Sequence, residues 1–175
     1  CGCLPGRAAP TLAALTLTVV SGRLAMRLQN RVAVITGAGQ GIGAATARRF
    51  AQEGALVVLA GRRLEPLQEV AAGIESAGGR ALARSTDIAD EEAVRGLVAD
   101  TVATFGRLDI IVNNAGYTWD SMIAKMTDDQ FDAMMDVHVK APFRILRAAA
   151  PHIRGFAEAE AAAKREAERQ EIGRA

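Results

Sequence analysis

The stretch Thr36-Gly37-Ala38-Gly39-Gln40-Gly41-Ile42-Gly43 lies between a short β-branched run, residues 31–36, and a segment with helical periodicity, residues 42–53. Glycine lets the backbone turn sharply and lets another group approach it closely. The free N–H groups and positive end of a helix that follows such a turn can hold a pyrophosphate. A glycine motif alone is a weak signal, and a tight turn without a ligand is the alternative. Here the strand before it and the helix after it favour a phosphate-binding βα turn.

The pattern continues outward from that turn. Ile42, Thr46, Arg49 and Phe50 stand at helical spacing, with Gly54 as the stop. Residues 55–60 read as a second strand. Residues 64–77 repeat Leu64, Leu67, Val70, Ala71 and Ile74 on one helical face, closed by Gly78 and Gly79. Residues 80–86 form a weaker third strand. Asp90 caps a helix carrying Val94, Leu97, Val98, Thr101, Val102 and Phe105, and Gly106 ends it. Residues 108–113 are a fourth strand. Thr127 caps a last long helix with Phe131, Met134, Met135 and His138 in its seam. Apolar strands alternating with amphipathic helices predict an α/β fold with a parallel sheet covered on both faces. Right-handed crossovers then give strand order 3-2-1-4, a Rossmann-type doubly wound sheet truncated after about four strands.

Composition bounds the function. The chain has 175 residues, 21 Lys+Arg against 20 Asp+Glu, and a net charge of +1, so it has no electrostatic footprint for nucleic acid. Half the residues are apolar, which excludes a disordered chain. No apolar run is long enough to span a membrane. Cys1 and Cys3 cannot build a disulfide framework or a zinc site, and a reducing, cytoplasmic setting is expected.

The two ends read differently from the middle. Residues 1–25 contain Pro5, Pro10, Gly22 and a short apolar run at 12–20. A signal peptide is disfavoured, because only Arg7 supplies a basic region before that run and Ser21-Gly22-Arg23 is a poor cleavage site. A disordered leader, or upstream sequence read through to a start at Met26, is expected instead. Residues 26–155 then form an incomplete dinucleotide-binding domain. Gly155 is expected to close the last apolar helix. Residues 156–175 form a charged, Ala-rich helical tail with a Glu160–Lys164 pair, leading toward a missing fifth strand. A solvated surface helix is preferred there over a partner-binding one.

Three motifs in order carry a resemblance. The glycine spacing is Gly-x-x-x-Gly-x-Gly with Thr36 in front. Asp87 follows strand three, and Asn113-Asn114-Ala115-Gly116 follows strand four. Over residues 28–155 this resembles the short-chain dehydrogenase/reductase family. Residues 106–116 look most like its 3-oxoacyl-carrier-protein-reductase-like branch. The resemblance implies hydride transfer between a nicotinamide cofactor and a ketone or secondary alcohol, with 3-oxoacyl thioesters as the leading substrate class. It implies cofactor contacts at Gly37, Gly39, Gln40, Gly41, Ile42, Gly43, Asp87, Ile88, Asn114, Ala115 and Gly116, with Asp87 near the adenine ring. It also implies a homo-oligomer for the full-length form.

Charge indicates the form of the cofactor. An acid at the end of strand two binds the ribose 2′-OH of NAD, whereas a basic residue accommodates the 2′-phosphate of NADP. Here the strand ends in Gly61-Arg62-Arg63, with no acid before Glu65. NADP(H) is therefore expected, with Arg62 as its main contact, and NAD(H) is the alternative. Gln40 departs from the second basic residue that NADP-using relatives often carry.

The family's catalytic Ser and Tyr-x-x-x-Lys have no counterpart. The single tyrosine, Tyr117, is followed four residues later by Ser121, and the lysines are Lys125, Lys140 and Lys164. His138 occupies the place in the last helix where the family has an Asn that holds a relay water. The chain is expected to be inactive alone, as the cofactor-binding portion of a carbonyl reductase. A non-catalytic dinucleotide-binding module and an interaction protein using the Ala/Glu helix are the other readings.

Overall fold

In a computed structural model that describes residues 26–172, four parallel strands form one sheet in the order β3-β2-β1-β4. The elements run β1 (Val32–Thr36), α1 (Gly41–Gln52), β2 (Leu56–Gly61), α2 (Leu64–Ser76), β3 (Arg80–Ser85), α3 (Glu91–Phe105) and β4 (Ile110–Val112). A 3-10 turn at Ile123–Lys125 then precedes α4 (Asp128–Met135), a π-helical turn (Asp136–Lys140) and α5 (Ala141–Ile172). The expected alternation and strand order are both present. The leader expected at 1–25 and the end of the tail at 173–175 lie outside the described residues.

Period-two alternation in the strands sorts the core into two layers. Ile35, Val57 and Leu59 face Leu67, Val70 and Ile74 of α2 and the small residues Ala44 and Ala47 of α1. Val34, Val58 and Ala60 face the other way, onto Leu97 and Val98 of α3 and Ala149 of α5. All five residues of β1 are buried, which is why that run is continuously apolar apart from Thr36. Each fully buried Val, Leu or Ile contributes about 1.5–3 kcal/mol relative to exposure. β1 pairs with both β2 (Ile35 with Leu59) and β4 (Ile35 with Val112), so it forms the spine of the sheet.

The helix ends follow the capping signals. The Asp90 carboxylate accepts from the amides of Glu92 (2.8 Å) and Ala93 (3.4 Å). Gly106 ends α3 in the left-handed conformation at φ 76°. Thr127 and Gln130 form a reciprocal capping box at the start of α4.

Four expectations are corrected. Ile42 is 79% exposed, and α1 packs through Gly43, Ala44 and Ala47 instead. Those residues are small enough for the helix to lie close on the sheet, so counting large apolar residues picks the wrong face. β4 is only Ile110–Val112, shorter than 108–113, and beyond it the amides of Asn114 and Ala115 turn to the Thr36 hydroxyl. The last helix is not one regular seam. It is α4 and α5 joined by the π-helical turn, and Phe131 is exposed. Finally, α5 does not stop at Gly155 but continues to Ile172. Glycine costs only about 1 kcal/mol within a helix, and the Ala/Glu-rich stretch that follows is a strong helix former.

The expected Glu160–Lys164 pairing is also replaced. Glu160 receives both guanidinium nitrogens of Arg31, each at 3.0 Å, and lies 3.3 Å from Arg107. The same two arginines hold Asp109: Arg31 at 3.0 Å and Arg107 through two bonds of 2.8 and 2.5 Å. The Val32 amide donates to Asp109 Oδ2 at 2.9 Å. This network ties the start of β1, the approach to β4 and the middle of α5. Burial pushes the Asp109 carboxyl up, but Arg107, the Val32 amide and Arg31 outweigh it and hold it below its ordinary value of 3.8. A carboxylate depressed on folding contributes stability above its unfolded value and loses it as pH falls through the folded one. Asp109→Asn should therefore lower unfolding free energy by about 1.5–3 kcal/mol at neutral pH. The gap from wild type should narrow as pH drops below 3.8. Urea midpoints across that range check it, and a gap independent of pH would contradict the account.

Candidate functional site

In a parallel sheet every strand points the same way, so the loops after all four strands gather at one edge. They enclose a cleft of about 740 Å³. The loop after β1 supplies Gly37, Gly39 and Gln40, and the start of α1 supplies Gly41 and Ile42. The loop after β2 supplies Arg62 and Arg63, and the loop after β3 supplies Asp87 and Ile88. Asn114, Ala115, Gly116 and Tyr117 follow β4. Every cofactor contact expected from the sequence lines this cleft except Gly43, which sits behind it.

Gly43 explains how the turn is held. A Cβ there would lie 2.3 Å from the Gly37 carbonyl oxygen and 2.6 Å from the Asn114 side-chain nitrogen. The first turn of α1 therefore presses directly on the loop backbone. Gly37 and Gly41 both adopt positive φ, 65° and 56°, which side chains rarely tolerate. Gly41 has open space in front of it. The N-cap residue Gln40 makes no side-chain capping bond, and no acid lies in the first turn. The positive end of a 12-residue helix thus borders open space lined by Gln40, Gly41 and Ile42. This arrangement suits an anion.

Thr36 is the centre of the site's internal bonding. Its buried hydroxyl accepts from the amides of Asn114 and Ala115, both at 3.0 Å, and donates to the Val112 carbonyl at 3.3 Å. The Asn114 side chain donates in return to the carbonyls of Thr36 (2.9 Å) and Gly37 (3.4 Å). The glycine loop and the loop after β4 are stapled together from both sides. Asn114 therefore shapes the cleft from behind as well as lining it.

On the β2 and β3 side, the Arg62 carbonyl accepts from Ser85 Oγ at 3.0 Å, and the Thr86 amide donates to Gly61 at 2.8 Å. Both arginine side chains are exposed, and neither joins an ion pair among the described residues. Arg63 reaches across the mouth to donate to Gln40 Oε1 at 3.0 Å. Asp87 accepts from the Ala89 amide at 3.0 Å, closing a turn that leaves Ile88 on the cleft wall. His138 does not line the cleft. Its ring meets the Tyr117 carbonyl.

The residue reading missed the Gln40–Arg63 contact, the walls formed by Pro66 and Leu67, and Val137. It took Thr36 only as the residue in front of the motif, since a β-branched residue at a strand end looks like strand. A hydroxyl beside a glycine turn was the available signal. Among the described residues no cluster of His, Cys, Asp and Glu could hold a metal ion. No helix there is long and apolar enough to cross a membrane.

Comparison with known proteins agrees with this architecture. The short chain dehydrogenase family model matches residues 31–162, and the chain belongs to that family. It is 41% identical over 126 residues to the short-chain reductase protein NovJ of Streptomyces niveus, covering 72% of this chain and 48% of that protein. It is 34% identical over 128 residues to the 3-oxoacyl-[acyl-carrier-protein] reductase FabG of Thermotoga maritima, covering 73% and 52%. Among solved structures, a short chain dehydrogenase from Burkholderia cenocepacia in complex with NADP shares 44% identity at a TM-score of 0.69, covering 73% and 52%. L-Sorbose reductase from Gluconobacter frateurii, complexed with NADPH and L-sorbose, shares 36% at 0.72, covering 75% and 51%. The chain spans about half the length of the curated relatives it matches.

Thr36→Val keeps the shape but leaves the Ala115 amide without a partner and the Asn114 amide with only the Val112 carbonyl, at 3.1 Å. It should destabilise the fold by about 1–3 kcal/mol for the amide left unsatisfied. Thr36→Ser, which keeps the hydroxyl and loses one methyl, should cost about 1 kcal/mol. Urea unfolding of the two variants tests this, and equal losses would remove the hydroxyl from the account.

Proposed function

We propose that this chain is the NADP(H)-binding portion of a short-chain dehydrogenase/reductase that interconverts a ketone and a secondary alcohol. The observation that carries the reading is the charge at the end of β2. Arg62 and Arg63 stand there with exposed guanidinium groups, and no acid takes the place of an NAD-type partner. A guanidinium forms charge-assisted pairs with a phosphate, whereas a carboxylate would repel it. Solved relatives in complex with NADP or NADPH support the same cofactor.

The parts of the cleft divide the work. The uncapped start of α1 and the glycine loop hold the pyrophosphate. Arg62 takes the 2′-phosphate, and Asp87 with Ile88 borders the adenine. Residues 114–117 form the wall for the other half of the molecule. When bound, the cofactor supplies or accepts the hydride. The residues present here bind and orient it. The chain has no Tyr-x-x-x-Lys and so no paired phenol and ammonium to move the substrate proton. It is accordingly read as inactive by itself.

Similarity to the FabG reductase favours a 3-oxoacyl thioester as the substrate class of the longer protein. Exposed apolar residues on the π-helical turn and α5, Val139, Phe143 and Leu146, suit a homo-oligomer of that protein. A cytoplasmic setting fits the same reading. The missing Tyr-x-x-x-Lys keeps one second reading, a module that binds the dinucleotide without turnover.

Calorimetry with NADPH and NADH tests the cofactor. Arg62→Asp should weaken NADPH binding by about tenfold or more, the worth of one hydrogen bond to a charged group. NADH binding should hold or improve. An unchanged preference between the two would refute Arg62 as the selector.

A further inference from the structure

His138 lies in the π-helical turn Asp136–Lys140, where the helical hydrogen bonding between α4 and α5 changes register. Such turns displace side chains from the regular helical track and often mark functional positions. Two separate contacts show where this one sends the imidazole. Nε2 lies 2.8 Å from the Tyr117 carbonyl oxygen. A carbonyl can only accept, so Nε2 carries the proton and donates. The ring also lies against Gly116: a Cβ built there would come within 2.7 Å of His138 Cε1. Glycine at 116 is what admits the ring.

Gly116 and Tyr117 belong to the cleft wall, as does Val137 beside His138 in the turn. They follow β4, on the opposite side of β1 from Arg62 and Asp87, which follow β2 and β3. If the 2′-phosphate and adenine lie over β2 and β3, the nicotinamide half lies over β1 and β4. No regular element holds residues 113–122, so the wall there depends on side-chain bonds. Thr36 and Asn114 secure residues 114 and 115 from the strand side. His138 supplies the next attachment along the chain.

We propose that His138 is a positioning residue that fixes Gly116 and Tyr117 from the π-helical turn and so preforms the nicotinamide half of the cleft. This rests on the dinucleotide reading above, and two readouts keep the two ideas apart. The first is Trp119, the only tryptophan of the chain, two residues beyond the latched carbonyl. The second is calorimetry with NADPH and with 2′-phospho-ADP-ribose, which lacks the nicotinamide.

Four proteins are compared: wild type, His138→Ala, His138→Phe and His138→Gln. Phenylalanine fills the space without a donor, and glutamine keeps an N–H in a similar place. The Ala and Phe variants should expose Trp119 more readily to acrylamide quenching. They should bind NADPH about threefold to tenfold more weakly, the net worth of one hydrogen bond. Their affinity for 2′-phospho-ADP-ribose should be unchanged, and Gln should restore both readouts. Equal losses for the two ligands, or a Phe variant that behaves as wild type, would overturn the proposal. If wild type binds neither ligand, the dinucleotide reading fails instead. Trp119 then decides the latch alone: equal quenching in all four proteins overturns it, and restoration by Gln upholds it.

Discussion

A single hydroxyl at the end of the central strand joins the two halves of the cleft. Thr36 accepts two amides from the loop after β4, and Asn114 answers with two bonds to the glycine loop. Without these bonds, β1 and β4 would still pair through their backbone ladder and the Asp109 bond to Val32. The loops beyond them would lose their fixed separation. The turn needs such external support because its glycines have no side chains with which to hold their own conformation. Glycine permits the geometry, and the threonine and asparagine enforce it.

The opposite end of the sheet is organised by charge. Asp109 and Glu160 share two arginines, and Asp109 also takes the first amide of β1. Three segments distant in sequence are joined there, which fixes where β1 begins and where α5 crosses. The strands are thus pinned at their N-terminal ends by ion pairs and at their C-terminal ends by neutral hydrogen bonds.

Most of the fold was legible because β1 and β2 are buried on both faces and α3 and α4 begin at capping side chains. The Asp90 and Thr127 caps and the Gly106 stop followed from local chemistry, and the strand order from the handedness of the crossovers. The face of α1 was not legible. Its packing depends on the absence of bulk at Gly43, Ala44 and Ala47, and an absence leaves no apolar periodicity to read. The expected stop at Gly155 failed for a related reason: a glycine ends a helix only where the chain adopts positive φ, and Gly155 does not. For the site, the glycine turn came from the strand before it and the helix after it, Arg62 from the charge at the end of β2, and Asp87 and residues 114–116 from the family resemblance. Contacts between loops, such as Gln40 with Arg63 and His138 with Tyr117, depend on distances that sequence order does not encode.

The length of α5 has a mechanical side. Its 32 residues extend about 48 Å at 1.5 Å per residue. Only the first part is packed, through Ala141 and Ile145 against Ile88 and Val94 and through Ala149 and Ile153 against the sheet and α3, and the Glu160 clasp is the last attachment described along it. From residue 161 to 170 every side chain is exposed. The exposed stretch is therefore a lever, with its fulcrum at a pair of arginines. A transverse load on residues 161–170 acts through that lever on contacts worth little individually. Whatever pulls or pushes on the stretch is felt first at Arg31 and Arg107, and through Asp109 at the root of the central strand.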